Sequence, residues 1–209
     1  DDFEGWFNYT DRLKENWNKI IDDKDYVVIA GDISWAMNFD ELKADFDYIN
    51  QLNGKKIILK GNHDYWWNTM SKMNKFIEEN NFNTISILHN NAFDFDDFSV
   101  CGSRGWFFDS DEEQNEKVLN REVMRIKASI ESALNCEKIV FLHYPPVYEN
   151  QCCEEIVSLL KEKGIKKCYY GHIHGVAAKY AFDDNYDGID FKLISADRLD
   201  FMPLLIKKF

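Results

Sequence analysis

Residues 57–64 read Ile57, Ile58, Leu59, Lys60, Gly61, Asn62, His63, Asp64, with Tyr65, Trp66 and Trp67 directly behind them. A short apolar run that stops at a glycine has the signature of a strand buried on both faces. An amide, an imidazole and a carboxylate placed straight after it make sense if the end of that strand is needed for chemistry; a plain turn is the alternative for these four residues alone. The arrangement recurs on both sides. Tyr26 to Ala30 runs into Gly31 and Asp32, and Lys138 to Leu142 runs into His143, Tyr144, Pro145 and Pro146. Lys167 to Tyr170 runs into Gly171, His172, Ile173, His174 and Gly175.

Helical patterns separate these runs. Trp6, Leu13, Trp17, Ile20 and Ile21 share one face of an amphipathic helix of about four turns. Phe39, Leu42, Phe46 and Ile49 mark a second, with Gly54 as its terminator. The spacing predicts further helices over about 66–80, over 111–134 with Leu119, Val123, Ile126, Ile130 and Leu134 on one face, and from a cap at Asn150 to Lys163, ended by Gly164. Residues 84–101 read as strands divided by His89, Asn90, Asn91 and by Asp96, Asp97, with a loop over 101–108. From Ala177 onward no helical pattern returns, and the tail through Phe201 to Ile206 is expected to add extended strands to a second sheet. The alternation predicts an α/β fold in one domain spanning 1–209.

Composition narrows the function classes. At 209 residues and 45% hydrophobic content the chain can bury a sizeable core, so disorder is excluded. The formal charge of −12, with 25 Lys and Arg against 37 Asp and Glu, argues against duplex nucleic acid as a partner, since such binding runs on phosphate neutralisation. Five cysteines, two of them adjacent, do not form a secreted disulfide framework, and a reducing cytoplasm is the expected location. No apolar run approaches the roughly 18 to 20 residues of a membrane-spanning helix.

In an open parallel sheet the strand carboxyl ends lie along one edge, so Asp32, Asn62, His63, Asp64, His143, His172 and His174 are expected to converge although they are distant in sequence. A lone histidine at a strand end is ordinarily a structural hydrogen-bonding residue. Four of the chain's five histidines at such ends share no structural explanation of that kind. Imidazoles with a carboxylate and an amide oxygen suit Mn, Fe, Zn or Ni better than Ca or Mg. Pairs of such ions, about 3.5–4 Å apart, clamp phosphate esters for in-line hydrolysis.

These residues resemble the calcineurin-like metallophosphoesterases, specifically a bacterial branch of phosphohydrolases. The match lies in Gly31–Asp32, Gly61–Asn62–His63–Asp64, His143 with its prolines, and Gly171–His172–Ile173–His174, in the family's order over about 140 residues. The resemblance implies a four-layer α/β/β/α sandwich of two mixed sheets. It implies two divalent transition metals and a metal-bridging hydroxide attacking a small phosphoester or phosphorylated substrate, as a phosphatase or phosphodiesterase. Asp32 matches the bridging carboxylate, Asn62, His143 and His172 match ligands of the second metal, and His174 matches a ligand of the first. His63 matches the histidine that acts on the leaving group, and Asp64 the carboxylate that orients it.

One part of the family pattern has no counterpart. The first strand should end in Asp-x-His, which occurs nowhere in the chain, and the sequence starts near the helix that should follow it. Truncation of roughly 15 to 30 residues, about one strand-helix unit, is the expected reason. The second metal site is then complete and the first incomplete, with only Asp32 and His174. The gap leaves a non-catalytic metal-binding interaction domain as the alternative function.

Further candidates each carry a plainer alternative. Arg104, flanked by Gly102 and Gly105, is a candidate for a substrate phosphate or for an ordinary salt bridge. Tyr144 is a candidate pocket residue or packing. Trp35, Trp66 and Trp67 either wall the pocket or belong to the core. Cys152 and Cys153 read as ordinary helix residues, and His89 as a turn residue without a role.

Overall fold

The computed structural model describes residues 6–106 and 116–208. In chain order the elements are α1 (Tyr9–Ile20), β1 (Tyr26–Ile29), α2 (Phe39–Asn50), β2 (Lys55–Ile58), α3 (Met70–Glu79), β3 (Ile85–Ile87), β4 (Phe93–Asp94) and β5 (Phe98–Ser103). Then come α4 (Glu116–Ser132), β6 (Glu137–Leu142), β7 (Val147–Tyr148), β8 (Gln151–Cys152), α5 (Glu154–Glu162), β9 (Lys167–Tyr170), a 3-10 helix (Gly175–Tyr180), β10 (Asn185–Tyr186) and β11 (Ile189–Leu193).

Two main sheets form. The smaller, in the order β1-β2-β3, is parallel throughout. The larger, β10-β11-β9-β6-β5-β4, is mixed: its four central strands are parallel and both edge strands antiparallel. Because strand side chains alternate faces, β2 and β6 each serve two cores. Ile57 and Leu59 point inward with Phe98, Val100, Ile139 and Phe141 and form an apolar cluster between the sheets, where several of these side chains also line a large cavity. Ile58 points the other way, onto Leu42, Phe46 and Ile49 of α2 and Met73 and Phe76 of α3. Val140 and Leu142 face Ile126 and Ile130 of α4 and Ile156 and Leu160 of α5. The result is the expected helix, sheet, sheet, helix layering.

Several boundaries differ from the sequence expectation, each for a local reason. The third helix starts at Met70 rather than Trp66, because Trp66 is buried in the turn after Asp64 and Trp67 donates its N–H to the Asp64 carbonyl. β5 runs on through Gly102 to Ser103, where a loop was expected. Gly102 lies so close to β6 that a Cβ there would sit 2.0 Å from the Phe141 carbonyl. α4 ends at Ser132, leaving Leu134 85% exposed rather than on the buried face, and residues 111–115 of the expected helix lie outside the described residues. A short hairpin, β7–β8, occupies the start of the helix expected from Asn150, so α5 begins at Glu154 with Cys153 before it.

The tail departs most. It opens with the 3-10 helix and adds only β10 and β11 to the larger sheet; Phe201 to Ile206 form no strand. Local turns take up the backbone there, with Leu199 and Phe201 donating to Ser195 and Ala196 carbonyls. Phe201 is nevertheless buried, edge-on to Trp6 at 5.2 Å. All five cysteines are free, and no helix among the described residues is long and apolar enough to cross a membrane.

Lys56, in the middle of the smaller sheet, is fully buried and donates from Nζ to the carbonyls of Leu52 (2.6 Å) and Gly54 (2.8 Å). Burial pushes its ammonium down to about 8. The unfolded chain therefore holds this proton more tightly than the native one between about pH 8 and 10.5, and native stability gains from rising pH across that window. Urea unfolding at pH 8 and pH 10.5 is expected to show wild type gaining on the order of 2 kcal/mol relative to Lys56→Met. Parallel pH profiles for the two proteins would contradict it.

Candidate metal centre

The loops that leave β1, β2, β6 and β9 meet at one end of the sandwich. Asp32 and His172 both adopt left-handed backbone, at φ 54° and 67°. Side-chain-bearing residues pay for that conformation in strain, so it persists where the surroundings over-determine it. Gly31, itself at φ 90°, allows the loops to touch: a Cβ there would fall 2.5 Å from the Gly61 nitrogen and 2.8 Å from His143 Nδ1. A Cβ on Gly61 would lie 2.0 Å from Asp32 Oδ1. Both glycines are thus required by close approach of two strand ends.

Asp32, His143 and His172 each offer a ligand atom, all within 4.8 Å of one another. Asn62 joins them, with Oδ1 2.6 Å from His143 Nε2, and Asp32 Oδ2 lies 3.4 Å from the same nitrogen. The protonation of His143 follows from its other side. Its Nδ1 is 2.8 Å from the Ala30 carbonyl, which can only accept, so Nδ1 carries the proton. Burial drives this imidazole down to about 3, so it is neutral and Nε2 is bare. Three acceptor atoms therefore converge with no proton between them, and a cation resolves that conflict. Burial, then neighbouring His143, also lowers His172 to about 3. Asp32 is shifted up by burial, opposed by the His63 N–H, which donates to its Oδ1 at 2.8 Å. The chemistry of these donors fits a divalent transition metal.

His174 lies outside the 4.8 Å cluster. It borders the same cavity of about 1650 Å³ as Asp32, His63, His143 and His172, with its ring 6.2 Å from that of Trp6. His63 also faces this cavity, but its ring is not held by Asp64. The Asp64 carboxylate is buried and filled by five N–H donors. Oδ2 accepts from Gly61 (2.7 Å) and Asp32 (2.9 Å), and Oδ1 from Ile33 (2.9 Å), Ser34 (3.4 Å) and Trp66 Nε1 (3.1 Å). A carboxylate has about four lone-pair directions, so none remains to orient an imidazole. Burial raises its pKa, opposed by the Gly61, Ile33 and Ser34 N–H groups. The His63 Nδ1 instead meets the Tyr65 hydroxyl at 3.0 Å, and its ring stacks on Trp35. No sequence signal distinguishes this pairing, because Tyr65 and Trp35 look like generic aromatics.

Among the described residues, Arg104 and Tyr144 are not in the lining of the cavity that Asp32, His63, His143, His172 and His174 border. Arg104 is 8% exposed, with Nη2 3.9 Å from Glu122 and its guanidinium over the Tyr144 ring. Glu122 is fully buried and also binds Arg125 (2.5 Å) and Ser103 (3.1 Å). Arg104 thus has the carboxylate partner that the salt-bridge reading calls for. Tyr144 packs edge-on against His172 at 4.6 Å and so backs the Asp32, His143, His172 cluster from the interior. Trp66 belongs to the core, Trp67 packs against it, and His89 sits in a turn through Asn91.

Two sheets packed face to face, with a carboxylate, an amide and imidazoles at the strand ends, are the framework of a metallophosphoesterase. The chain belongs to the calcineurin-like phosphoesterase family, whose model matches residues 2–176. Among solved structures it resembles one chain at a TM-score of 0.57 and 13% identity, covering 90% of this chain and 86% of that one. It also resembles TT1561 of Thermus thermophilus, at a TM-score of 0.54 and 12% identity, covering 90% and 83%. At such identities the likeness concerns the fold. No curated protein shows significant similarity to the chain.

Two outcomes follow for the metal-free protein. With His143 and His172 near 3 in the native state and about 6.5 unfolded, the unfolded chain binds more protons between those values. Stability should fall as pH drops from 6.5 towards 3, and His172→Asn should flatten the fall; a pH-independent urea midpoint would contradict this. Asp64→Asn, which presents an NH2 group to backbone donors, should lower stability by about 3 kcal/mol or more in the same assay.

Proposed function

We propose that this protein is a metal-dependent phosphoester hydrolase acting on a small phosphoester or phosphorylated substrate. The observation that carries the reading is the convergence of bare His143 Nε2, Asn62 Oδ1 and Asp32 Oδ2, a cluster of acceptors that calls for a cation. Asp32, Asn62, His143 and His172 would hold one ion of the Mn, Fe, Zn or Ni class. His174, with Asp32, is the chain's contribution to a second. A divalent metal bound there supplies Lewis-acid polarisation of a phosphoryl oxygen and an acidified water.

The chain's own residues do the rest. The Ala30 carbonyl fixes the tautomer of His143, and the His63 N–H orients the Asp32 carboxylate. His63, on the same cavity, gives a proton to the leaving oxygen. Duplex nucleic acid is not among the proposed substrates, because a formal charge of −12 opposes binding that runs on phosphate neutralisation. A cytoplasmic location is the companion proposal, resting on cysteine usage.

Titration calorimetry with Mn2+ should find one tight site, lost in Asp32→Asn and weakened in Gly61→Ala, whose added methyl would displace the Asp32 carboxylate. The loaded protein should hydrolyse p-nitrophenyl or bis-p-nitrophenyl phosphate, at a rate impaired by the incomplete first metal site. His63→Asn should lower kcat by roughly 100-fold or more with metal affinity unchanged. Tight metal binding without turnover of either ester would instead favour a non-catalytic metal-binding domain.

A further inference from the structure

The His63 ring is gripped by two aromatic side chains from different loops. Tyr65, two residues on, places its hydroxyl 3.0 Å from Nδ1, with its ring nearly perpendicular to the imidazole at 81°. Trp35, from the loop after β1, lies face to face with the imidazole, centroids 4.3 Å apart and planes 12° from parallel. Trp35 is 62% exposed and Tyr65 49% exposed, so neither is held there by burial in a core. Core packing is the ordinary reason for a large aromatic to keep one orientation, and it does not apply here.

Trp35 is instead placed by its backbone. Asp64 holds Ile33 and Ser34 on one side, and the Ala36 N–H donates to Ser34 Oγ at 3.1 Å on the other. The buried carboxylate thus acts on His63 through backbone, closing the 61–64 turn on the Gly61 N–H and holding the loop that carries Trp35. Tyr65 is fixed in the same turn, its N–H donating to the His63 carbonyl at 2.9 Å.

We propose that Tyr65 and Trp35 are the positioning residues of His63, in the place where a carboxylate was expected from sequence. For the ring to give up a proton at Nε2 and remain neutral it must keep one at Nδ1, so in this proposal the Tyr65 oxygen accepts the Nδ1 proton, and Trp35 sets the plane of the ring. Nε2 is then the nitrogen that exchanges a proton: the Nε2–H bond of the charged ring breaks, an O–H bond forms on the leaving group, and a neutral ring protonated at Nδ1 remains. The role in catalysis rests on the reading of the protein as a hydrolase; the positioning itself does not.

Two measurements separate the layers. In metal-free, 15N-labelled full chain at a pH where the ring is neutral, two-bond proton–nitrogen correlations should show His63 protonated at Nδ1, the tautomer that an unconstrained histidine disfavours. Tyr65→Phe should return it to predominantly Nε2–H, and Trp35→Ala should broaden its ring signals while Trp35→Phe restores them. Both positions are exposed, so unchanged thermal midpoints serve as the folding control. An Nε2–H ring in the wild type, or one unchanged by Tyr65→Phe, overturns the proposal. In the Mn-loaded protein, Tyr65→Phe should reduce kcat on phenyl phosphate roughly tenfold more than on p-nitrophenyl phosphate, whose leaving group needs little protonation, with KM unchanged. Equal losses on both esters overturn the catalytic role. The expected tautomers in a wild type that hydrolyses neither ester would sink the hydrolase reading and leave the positioning standing.

Discussion

The Asp64 carboxylate is the constraint on which the site depends. Its five N–H partners come from two strand-end loops, so one buried charge holds the turn after β1 against the turn after β2. Hydrogen bonds to a charged acceptor contribute about 1.5–3 kcal/mol each, and burial of the ion costs several kcal/mol, so the net stabilisation is modest. What the arrangement provides is registration. Asp32 presents its carboxylate towards β6 and β9 only because its own N–H, and those of the next two residues, are tied down.

Close approach completes the geometry. Gly31 and Gly61 allow backbone to pass where a methyl group would collide with a ligand or its loop. Left-handed Asp32 and His172 bring their side-chain acceptor atoms, with that of His143, within 4.8 Å of one another. Strain of about 1–3 kcal/mol per such residue is sustainable in a structure held by three separate apolar clusters. The Ala30 carbonyl then selects the protonated nitrogen of His143, which turns a buried imidazole into an acceptor pointing at Asn62 and Asp32. Strand ends, turn glycines and one backbone carbonyl thus create an acceptor cluster whose natural complement is a cation.

Legibility varies with the range of the interaction. The central strands and the helices between them follow from apolar periodicity, and are visible because burial acts on each side chain separately. The tail misleads because Phe201 to Ile206 are apolar enough for a strand, while local turn hydrogen bonds and the contact with Trp6 decide their path. Gly102 looks like a loop residue, yet β6 comes so near that only glycine continues β5 there. Arg104 reads from sequence as a candidate phosphate ligand or salt bridge, and only the fold brings Glu122, 18 residues further along the sequence, to 3.9 Å from its guanidinium.

The sequence by itself determined the α/β class, the four strand ends and the residue types placed at them, because chain order and hydrophobic period specify which positions sit at the carboxyl edge of a parallel sheet. Only the tertiary structure decided what each polar group there touches. Partners such as Asp64 with the Asp32 loop, His63 with Trp35, or His143 with Ala30 are far apart in sequence, the last pair by 113 residues. Their pairing depends on distances of a few ångströms set by sheet packing, and no local pattern encodes those.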